Sequence, residues 1–241
     1  MSYRLGFSSC SAPELSADDL LELSLANDAD TIDLRAGRGQ AWESVAGLRA
    51  IADALDVAFL ALPAALGGGA DDGAGAEELV RAAVERGIPL RFGVVPEVES
   101  SRFGEDVRRL RSRWGSDLVL YVEPHGPSPS LASLSELLRE HEVYAAADNL
   151  GFARLGAPPA AVAGFMAEFG RVLQVKGFAA NGDGGGWRHR PLVTTPAVLD
   201  DVVGLVSTLP PRELRVTIET RCGSHADDLA ALREALRDGS A

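Results

Sequence analysis

Short apolar runs alternate with amphipathic stretches along the whole chain of 241 residues. Apolar runs of this kind are typical of buried strands, and apolar positions that recur every three or four residues are typical of helices. We predict eight strands, at residues 4–8, 31–35, 57–62, 90–95, 118–123, 143–148, 172–176 and 214–219. A helix-like segment follows each strand, so the chain has the alternation of consecutive βα units.

Eight such units without a break in composition predict a single α/β domain over residues 1–241, folded as a (β/α)₈ TIM barrel. The alternative is an open, doubly wound sheet, which would carry a glycine-rich turn after its first strand. Residues 8–13 contain no glycine, and this favours the closed barrel.

The alternation within each strand predicts which side chains point into the barrel. Alternate strand residues face the interior, and active sites of such barrels lie at the C-terminal ends of the strands. Apolar outward positions in the last four strands leave a polar inward set: Glu123, Asp148, Gln174, Lys176 and Glu219. The second strand adds Asp33 and Arg35 by the same rule. The sequence therefore predicts a polar cluster at one mouth of the barrel.

Clustered carboxylates repel one another unless a cation or protons neutralise them. One solution is a divalent metal, for which the predicted ligands are Glu123, Asp148, Gln174 and Glu219. An all-oxygen set suits Mg²⁺ or Mn²⁺ better than Zn²⁺. The other solution is a salt-bridged rim, in which Arg35, Arg91 and Lys176 supply the opposite charge.

The composition of the chain excludes some classes of binding partner. The net charge of −12 opposes nonspecific binding to nucleic acid or to anionic membranes. No apolar segment is long enough to span a bilayer, and two cysteines are too few for a disulfide framework, so we expect a cytoplasmic protein. Among 23 Lys and Arg residues, Lys176 is the single lysine, which marks it as a candidate for a role that arginine cannot perform.

The eight-unit layout resembles the xylose isomerase-like TIM barrels, the sugar and sugar-phosphate isomerase/epimerase superfamily. The resemblance is carried by the second strand Thr31–Arg35, by Val122-Glu123-Pro124 and by Ile218-Glu219. It implies one divalent metal, held by residues that fall here on Glu123, Asp148 and Glu219. The family has histidine in its seventh strand, where this chain has Gln174. The family also often has a histidine shortly after the aspartate of strand six, whereas residues 149–151, directly after Asp148, contain none.

The resemblance implies an isomerase or epimerase that acts on a sugar or a related hydroxy-carbonyl compound. In such a reaction a metal acidifies the C–H beside the carbonyl and stabilises an enediolate. Glu123 and Glu219 would remove and return the proton, and Lys176 or Arg35 would stabilise the developing oxyanion.

Two long glycine-rich connections, 66–75 and 181–190, are predicted to lie beside this mouth as lids or phosphate cradles. The predicted substrate-binding residues are Arg35, Trp187, Arg188, His189 and Arg190, and they suit a small-molecule substrate such as a sugar or an anionic sugar. His125, His189 and His225 fall in predicted loops at this end, and His125 or His189 is a candidate for compensating the missing family histidine. The sequence leaves a homodimer open.

Three other functions remain open at this stage. A lysine inside an apolar barrel suits a Schiff-base lyase or aldolase, with Lys176 as the nucleophile. The missing histidine favours a degenerate, non-catalytic barrel that binds a ligand or a partner. A nuclease of the same superfamily is disfavoured by the acidic charge and by too few metal ligands for a multi-metal cluster.

Overall fold

Eight parallel strands close into a barrel in the computed structural model, which describes residues 2–69, 76–124, 130–180 and 187–239. The barrel strands are β1 (Ser2–Ser8), β2 (Thr31–Arg35), β3 (Asp56–Leu66), β4 (Leu90–Val94), β5 (Leu120–Val122), β6 (Tyr144–Asp148), β7 (Gly170–Val175) and β10 (Glu213–Ile218). The circle closes through β1, which pairs with both β2 and β10. The predicted TIM barrel is confirmed.

Helices surround the barrel and connect its strands. They are α1 (Ala17–Ala26), α2 (Val45–Ala54), α3 (Glu77–Glu85), α4 (Ser100–Trp114), α5 (Leu131–His141), α6 (Asn149–Leu155), α7 (Pro159–Phe169), α8 (Pro196–Thr208) and α9 (His225–Asp238). Their starts follow local chemistry: at α1, the Ser16 side chain accepts from the Asp19 amide, and the Asp19 carboxylate accepts from the Ser16 amide. No helix in the described part of the chain is long and apolar enough to cross a membrane.

The apolar side chains divide between two cores. The larger one lies between the strands and the helices and takes the outward strand residues, such as Leu120, Val122, Leu173 and Val175. The smaller one fills the barrel and consists of Ala58, Phe59, Ala61, Tyr121, Ala146 and Val172, with Tyr144 against it. Apart from Val119, this division confirms the predicted inward and outward positions of β5, β6 and β7. Val119, predicted to face inward, is exposed because β5 begins only at Leu120.

A β-hairpin after β7 replaces part of a predicted loop. Strand β8 (Gly177–Ala180) pairs antiparallel with β9 (Trp187–Arg190), although we predicted the whole of 181–190 as a connection. Gly177 is required where the hairpin leaves the barrel, since a Cβ there would collide with the carbonyl oxygen of Arg190. Residues 181–186 lie outside the described residues. So does 70–75, the greater part of the other glycine-rich connection.

Candidate active site

The predicted polar cluster forms at the C-terminal ends of the barrel strands. Asp148 ends β6, Lys176 follows β7 directly, and Glu219 follows β10. The Lys176 ammonium nitrogen lies 3.0 Å from Asp148 Oδ2 and 3.3 Å from Glu219 Oε2. All three side chains are at most 6% exposed, so this ion triad is almost fully removed from water.

Burial and mutual attraction act in opposite directions on the titration of the triad. Burial alone would lower the pKa of Lys176, but the Asp148 and Glu219 carboxylates outweigh it and raise the pKa above its usual value. Burial alone would raise the pKa of Glu219, but the Lys176 ammonium outweighs it and holds the pKa below its usual value. Lys176 and Glu219 therefore both stay charged near neutral pH, because each is held beside an opposite charge.

Backbone and helix contacts hold the triad in position. Asn149, the first residue of α6, donates from Nδ2 to the Lys176 carbonyl at 2.9 Å and accepts from the Lys176 amide at 2.9 Å. The Asp148 carboxylate also caps α6, because its Oδ1 accepts from the Gly151 amide. Asn149 was not predicted as a site residue; its place directly after the β6 carboxylate is the signal that could have found it.

Gln174 and Asp33 extend the cluster into the barrel. The Gln174 amide nitrogen donates to Asp33 Oδ2 at 3.0 Å and to Glu219 Oε2 at 3.2 Å. Asp33 also accepts from Ser8 Oγ at 2.6 Å and from Thr217 Oγ1 at 2.5 Å. Burial raises the pKa of Asp33 to about 6, although these hydroxyl hydrogen bonds lower it. Gln174 Oε1 is buried without a hydrogen-bond partner.

Glu123 does not join the triad through any contact in the described part of the chain. It follows β5 and forms an ion pair with Arg91, which projects from β4. Burial lowers the pKa of Arg91, opposed by the charges of Asp33 and Glu219. Two of the three cations expected for a salt-bridged rim, Arg91 and Lys176, thus make such pairs. The third, Arg35, directs Nη1 to Cys10 Sγ at 3.7 Å.

The predicted metal ligands do not fit a divalent ion in this arrangement. A cation pairs with each carboxylate of the set, and the Gln174 amide presents its N–H groups to carboxylate oxygens. Both acceptors of that amide are carboxylates, which fixes the orientation of its nitrogen and oxygen. Within residues 2–69, 76–124, 130–180 and 187–239, no three His, Cys, Asp or Glu side chains form a group that could hold a metal. His125, a candidate for compensation, lies outside these ranges.

The predicted substrate-binding residues divide between two places. Arg35 lines a cleft of about 640 Å³, together with Cys10, Arg38, Arg221 and His225. The cleft adjoins the triad because Arg221 Nη2 lies 3.4 Å from Glu219 Oε1. Sequence reasoning missed Cys10, Arg38 and Arg221, which stand in connections outside the strands. His225, predicted as a loop residue, begins α9 and packs edge-to-face on Phe7, with ring centroids 5.9 Å apart.

The other four predicted residues form β9. Trp187 and His189 are half-buried, whereas Arg188 and Arg190 are exposed. Trp187 packs edge-to-face against Phe178 of β8, with ring centroids 5.1 Å apart. Burial lowers the pKa of His189, and the charges of Lys176 and Arg221 lower it further, so the imidazole beside the triad is neutral near pH 7.

The described part of the chain has the fold of several solved sugar-modifying enzymes. No protein-family model and no curated protein sequence matches the chain. A xylose isomerase domain-containing protein from Salmonella typhimurium LT2 has a TM-score of 0.68 at 16% identity, covering 98% of this chain and 96% of that one. The 3-keto-D-glucoside 4-epimerase YcjR from E. coli has a TM-score of 0.63 at 13% identity, covering 97% and 100%.

A third similar structure is the IolI protein with a bound zinc atom. Its TM-score is 0.64 at 12% identity, and the match covers 98% of this chain and 96% of that one. Identities this low concern the fold alone. The three similarities confirm the predicted resemblance to the xylose isomerase-like TIM barrels at the level of the fold.

Proposed function

We propose that this protein is an isomerase or epimerase that moves a proton on a sugar or a related hydroxy-carbonyl compound. The observation that carries the proposal is the buried Asp148–Lys176–Glu219 triad at the C-terminal end of the barrel. This end is where barrels of this kind place their active sites. Further support comes from the similar structures, one of which is a 3-keto-D-glucoside 4-epimerase.

Lys176 supplies the positive charge that the reaction requires. Removal of a proton beside a carbonyl places negative charge on the carbonyl oxygen, and a fixed cation in a dry site stabilises that charge strongly. The raised pKa keeps the Lys176 ammonium protonated, and its contacts with Asn149 fix the position of its backbone.

Glu219 is the proposed general base. It is ionised, since its pKa lies below the usual value, and it is half of an ion pair that a substrate oxygen at Lys176 would loosen. A carboxylate that gives up a cationic partner becomes more basic, so substrate binding would prepare Glu219 to accept the proton. Glu123 is the proposed second group. It would exchange its ion pair with Arg91 for a proton from the solvent and give that proton to the neighbouring carbon or to the opposite face, while Glu219 releases the abstracted proton to the solvent.

The cleft beside the triad is the proposed substrate site. Arg35, Arg38 and Arg221 give it a positive lining, which suits an anionic sugar. His189 and Trp187 of the hairpin would contact the substrate from the β9 side. Arg188 and Arg190 are exposed and would engage only a substrate that reaches the outer edge of the hairpin.

A Schiff base at Lys176 is less consistent with this geometry. An amine must lose its proton before it attacks a carbonyl, and two carboxylates at 3.0 and 3.3 Å stabilise the protonated form. A metal-assisted reaction is not part of the proposal, because the side chains expected to bind the ion are paired with cations and N–H donors.

Hydrogen exchange in deuterated water tests the proposal without knowledge of the product. Purified protein would be incubated in D₂O with a panel of ketoses, aldoses and their phosphates, and deuterium beside the carbonyl would be followed by NMR. We expect exchange on at least one compound, lowered by about 10²- to 10⁴-fold in Glu219→Gln. Glu213→Gln is the matched control, since Glu213 begins the same strand at the opposite end of the barrel.

Absence of exchange on every compound would contradict the proposal. If a panel compound nevertheless stabilised the protein against thermal unfolding, the result would favour the non-catalytic, ligand-binding barrel. A borohydride-trapped adduct at Lys176, detected by mass spectrometry, would favour the Schiff-base lyase instead.

A further inference from the structure

Three carboxylates lie in the barrel mouth where water does not reach them. Asp33, Asp148 and Glu219 are each at most 4% exposed as whole residues. Carboxylates buried in one cluster repel one another and lose their hydration, so such a cluster needs a positive charge within it. A divalent ion held by oxygen ligands is one common way to provide it.

In this chain the positive charge comes from a side chain. The Lys176 ammonium contacts both Asp148 and Glu219, and it reaches them from a backbone fixed by two hydrogen bonds to Asn149. An ion bridging the same two carboxylates would have to occupy the same place. Steric overlap and charge repulsion therefore make the ammonium and a divalent ion mutually exclusive.

The orientation of the Gln174 amide also fits a cluster whose negative charge is already neutralised by the Lys176 ammonium. Its amide nitrogen bridges Asp33 and Glu219 as a double donor, which is the opposite of a metal ligand. Its Oε1 remains without a hydrogen-bond partner, although the residue is only 1% exposed. An amide rotation would bring this oxygen into use if a cation took the place of the ammonium.

We infer that the Lys176 ammonium stands in the place of a divalent metal ion, and that its removal turns Asp148, Gln174 and Glu219 into a site for Mn²⁺ or Mg²⁺. The Lys176 ammonium thus occupies the position at which these side chains would otherwise bind a metal ion. This inference concerns the charge of the cluster and does not depend on the proposed reaction. Oxygen-only ligands select these hard ions over Zn²⁺.

Metal titration of the wild type and of Lys176→Met tests the inference. Mn²⁺ binding would be followed by electron paramagnetic resonance, in which bound Mn²⁺ loses the signal of the free ion, and by thermal unfolding. We expect no stoichiometric binding by the wild type and no shift of its Tm. We expect Lys176→Met to bind stoichiometric Mn²⁺ and to gain stability with increasing Mn²⁺ concentration.

Two further variants keep the test decisive. The double variant Lys176→Met with Glu219→Gln lacks both the ammonium and one carboxylate ligand. It should therefore lose the Mn²⁺-dependent rise in Tm that Lys176→Met shows. Lys176→Ser leaves more room for a metal ion and its water, and it is the replacement variant if Lys176→Met folds only in the presence of Mn²⁺. Folding of Lys176→Met that depends on Mn²⁺ would itself support the inference. Failure of both single variants to fold or to bind in the presence of Mn²⁺ would overturn it.

Metal binding by the wild type is the result that would contradict the inference. Stoichiometric Mn²⁺ bound by the wild type and released by Glu219→Gln would overturn the inference, because ammonium and metal would then share the cluster. These outcomes are independent of the deuterium-exchange assay. If the wild type binds no Mn²⁺, Lys176→Met binds it, and no deuterium exchange is observed, the inference stands and only the proposed function is refuted.

Discussion

The two ends of the barrel each carry a network of ion pairs, and the networks differ in how far water reaches their charged groups. At the end where the strands begin, Asp56 accepts from Arg215 at 2.5 and 3.1 Å and lies 3.7 Å from Arg4. Arg4 also pairs with Glu213 at 2.9 Å. The side chains of Arg4 and Glu213 are 44% and 48% exposed, so the solvent screens this network.

At the other end, the triad of Asp148, Lys176 and Glu219 has similar distances and almost no exposure. The desolvation of buried ions costs several kcal/mol each, and their attraction repays this cost only with good geometry and further hydrogen bonds. Apolar side chains of similar volume would stabilise this end of the barrel at least as well. The triad therefore calls for an explanation other than stability, and this is the physical basis for assigning the site to this end.

The largest expected effect comes from the loss of one cation at each end. Lys176→Met removes the ammonium that the buried carboxylates of Asp148 and Glu219 both contact, and we expect it to lower the free energy of unfolding by about 3 to 5 kcal/mol near pH 7. Arg215→Met leaves Asp56 near water and still beside Arg4, and we expect a loss of about 1 kcal/mol or less. Urea unfolding of both variants measures the two values.

Equal losses at the two ends would contradict this account of the triad. Lys176→Met together with Asp148→Asn and Glu219→Gln is the control for packing, since it removes every charge of the triad and keeps similar volumes. We expect this neutral variant to recover most of the lost stability, because the two buried carboxylates lose their charge together with the ammonium.

The contrast between the ends also indicates how far sequence reasoning reaches. The alternation of strand residues correctly predicted that Asp148, Gln174, Lys176 and Glu219 share one mouth, since strand geometry alone fixes that direction. It could not predict that Glu123 turns to Arg91 instead. Which cation meets which carboxylate depends on side-chain rotamers and on the stagger between neighbouring strands, and neither is written in the pattern of one strand.

The hairpin shows a second kind of limit. Its strands are four residues long and contain no β-branched residue that would predict a strand. They form because β7 continues past Lys176 and finds a partner segment in the chain returning to the barrel. Trp187 consequently packs on Phe178, a contact that no local pattern could have predicted.

A smaller effect is expected from Asp33, a buried carboxyl group that the Gln174 amide connects to Glu219. Its pKa is raised to about 6 in the folded protein, from an unfolded value near 3.8, so the folded state holds the proton more tightly. The stabilising contribution of this proton is fully present below about pH 4 and is lost as the pH rises through about 6, a change of about 3 kcal/mol.

Asp33→Asn isolates this contribution, since asparagine has nearly the same shape and does not titrate. The free energy of unfolding of the wild type, relative to that of Asp33→Asn, should fall by about 3 kcal/mol between about pH 4 and pH 8. A constant offset from altered hydrogen bonds to Ser8, Gln174 and Thr217 is expected at every pH. Urea unfolding across this range measures the difference, and a difference independent of pH would refute the raised pKa.

The smallest expected effect concerns salt and distinguishes the two ends directly. A double-mutant cycle on Arg4 and Glu213 should give a coupling energy of about 0.2 to 1 kcal/mol at low salt. In about 1 M NaCl the screening length falls to roughly 3 Å, and this coupling should nearly vanish because both side chains are about half exposed. The same cycle on Lys176 and Glu219 should keep its value, since ions in solution cannot enter between side chains that are 5% and 6% exposed. A salt-sensitive coupling at Lys176 would mean that water penetrates the triad, and the electrostatic stabilisation assigned to the ammonium would then be correspondingly weaker.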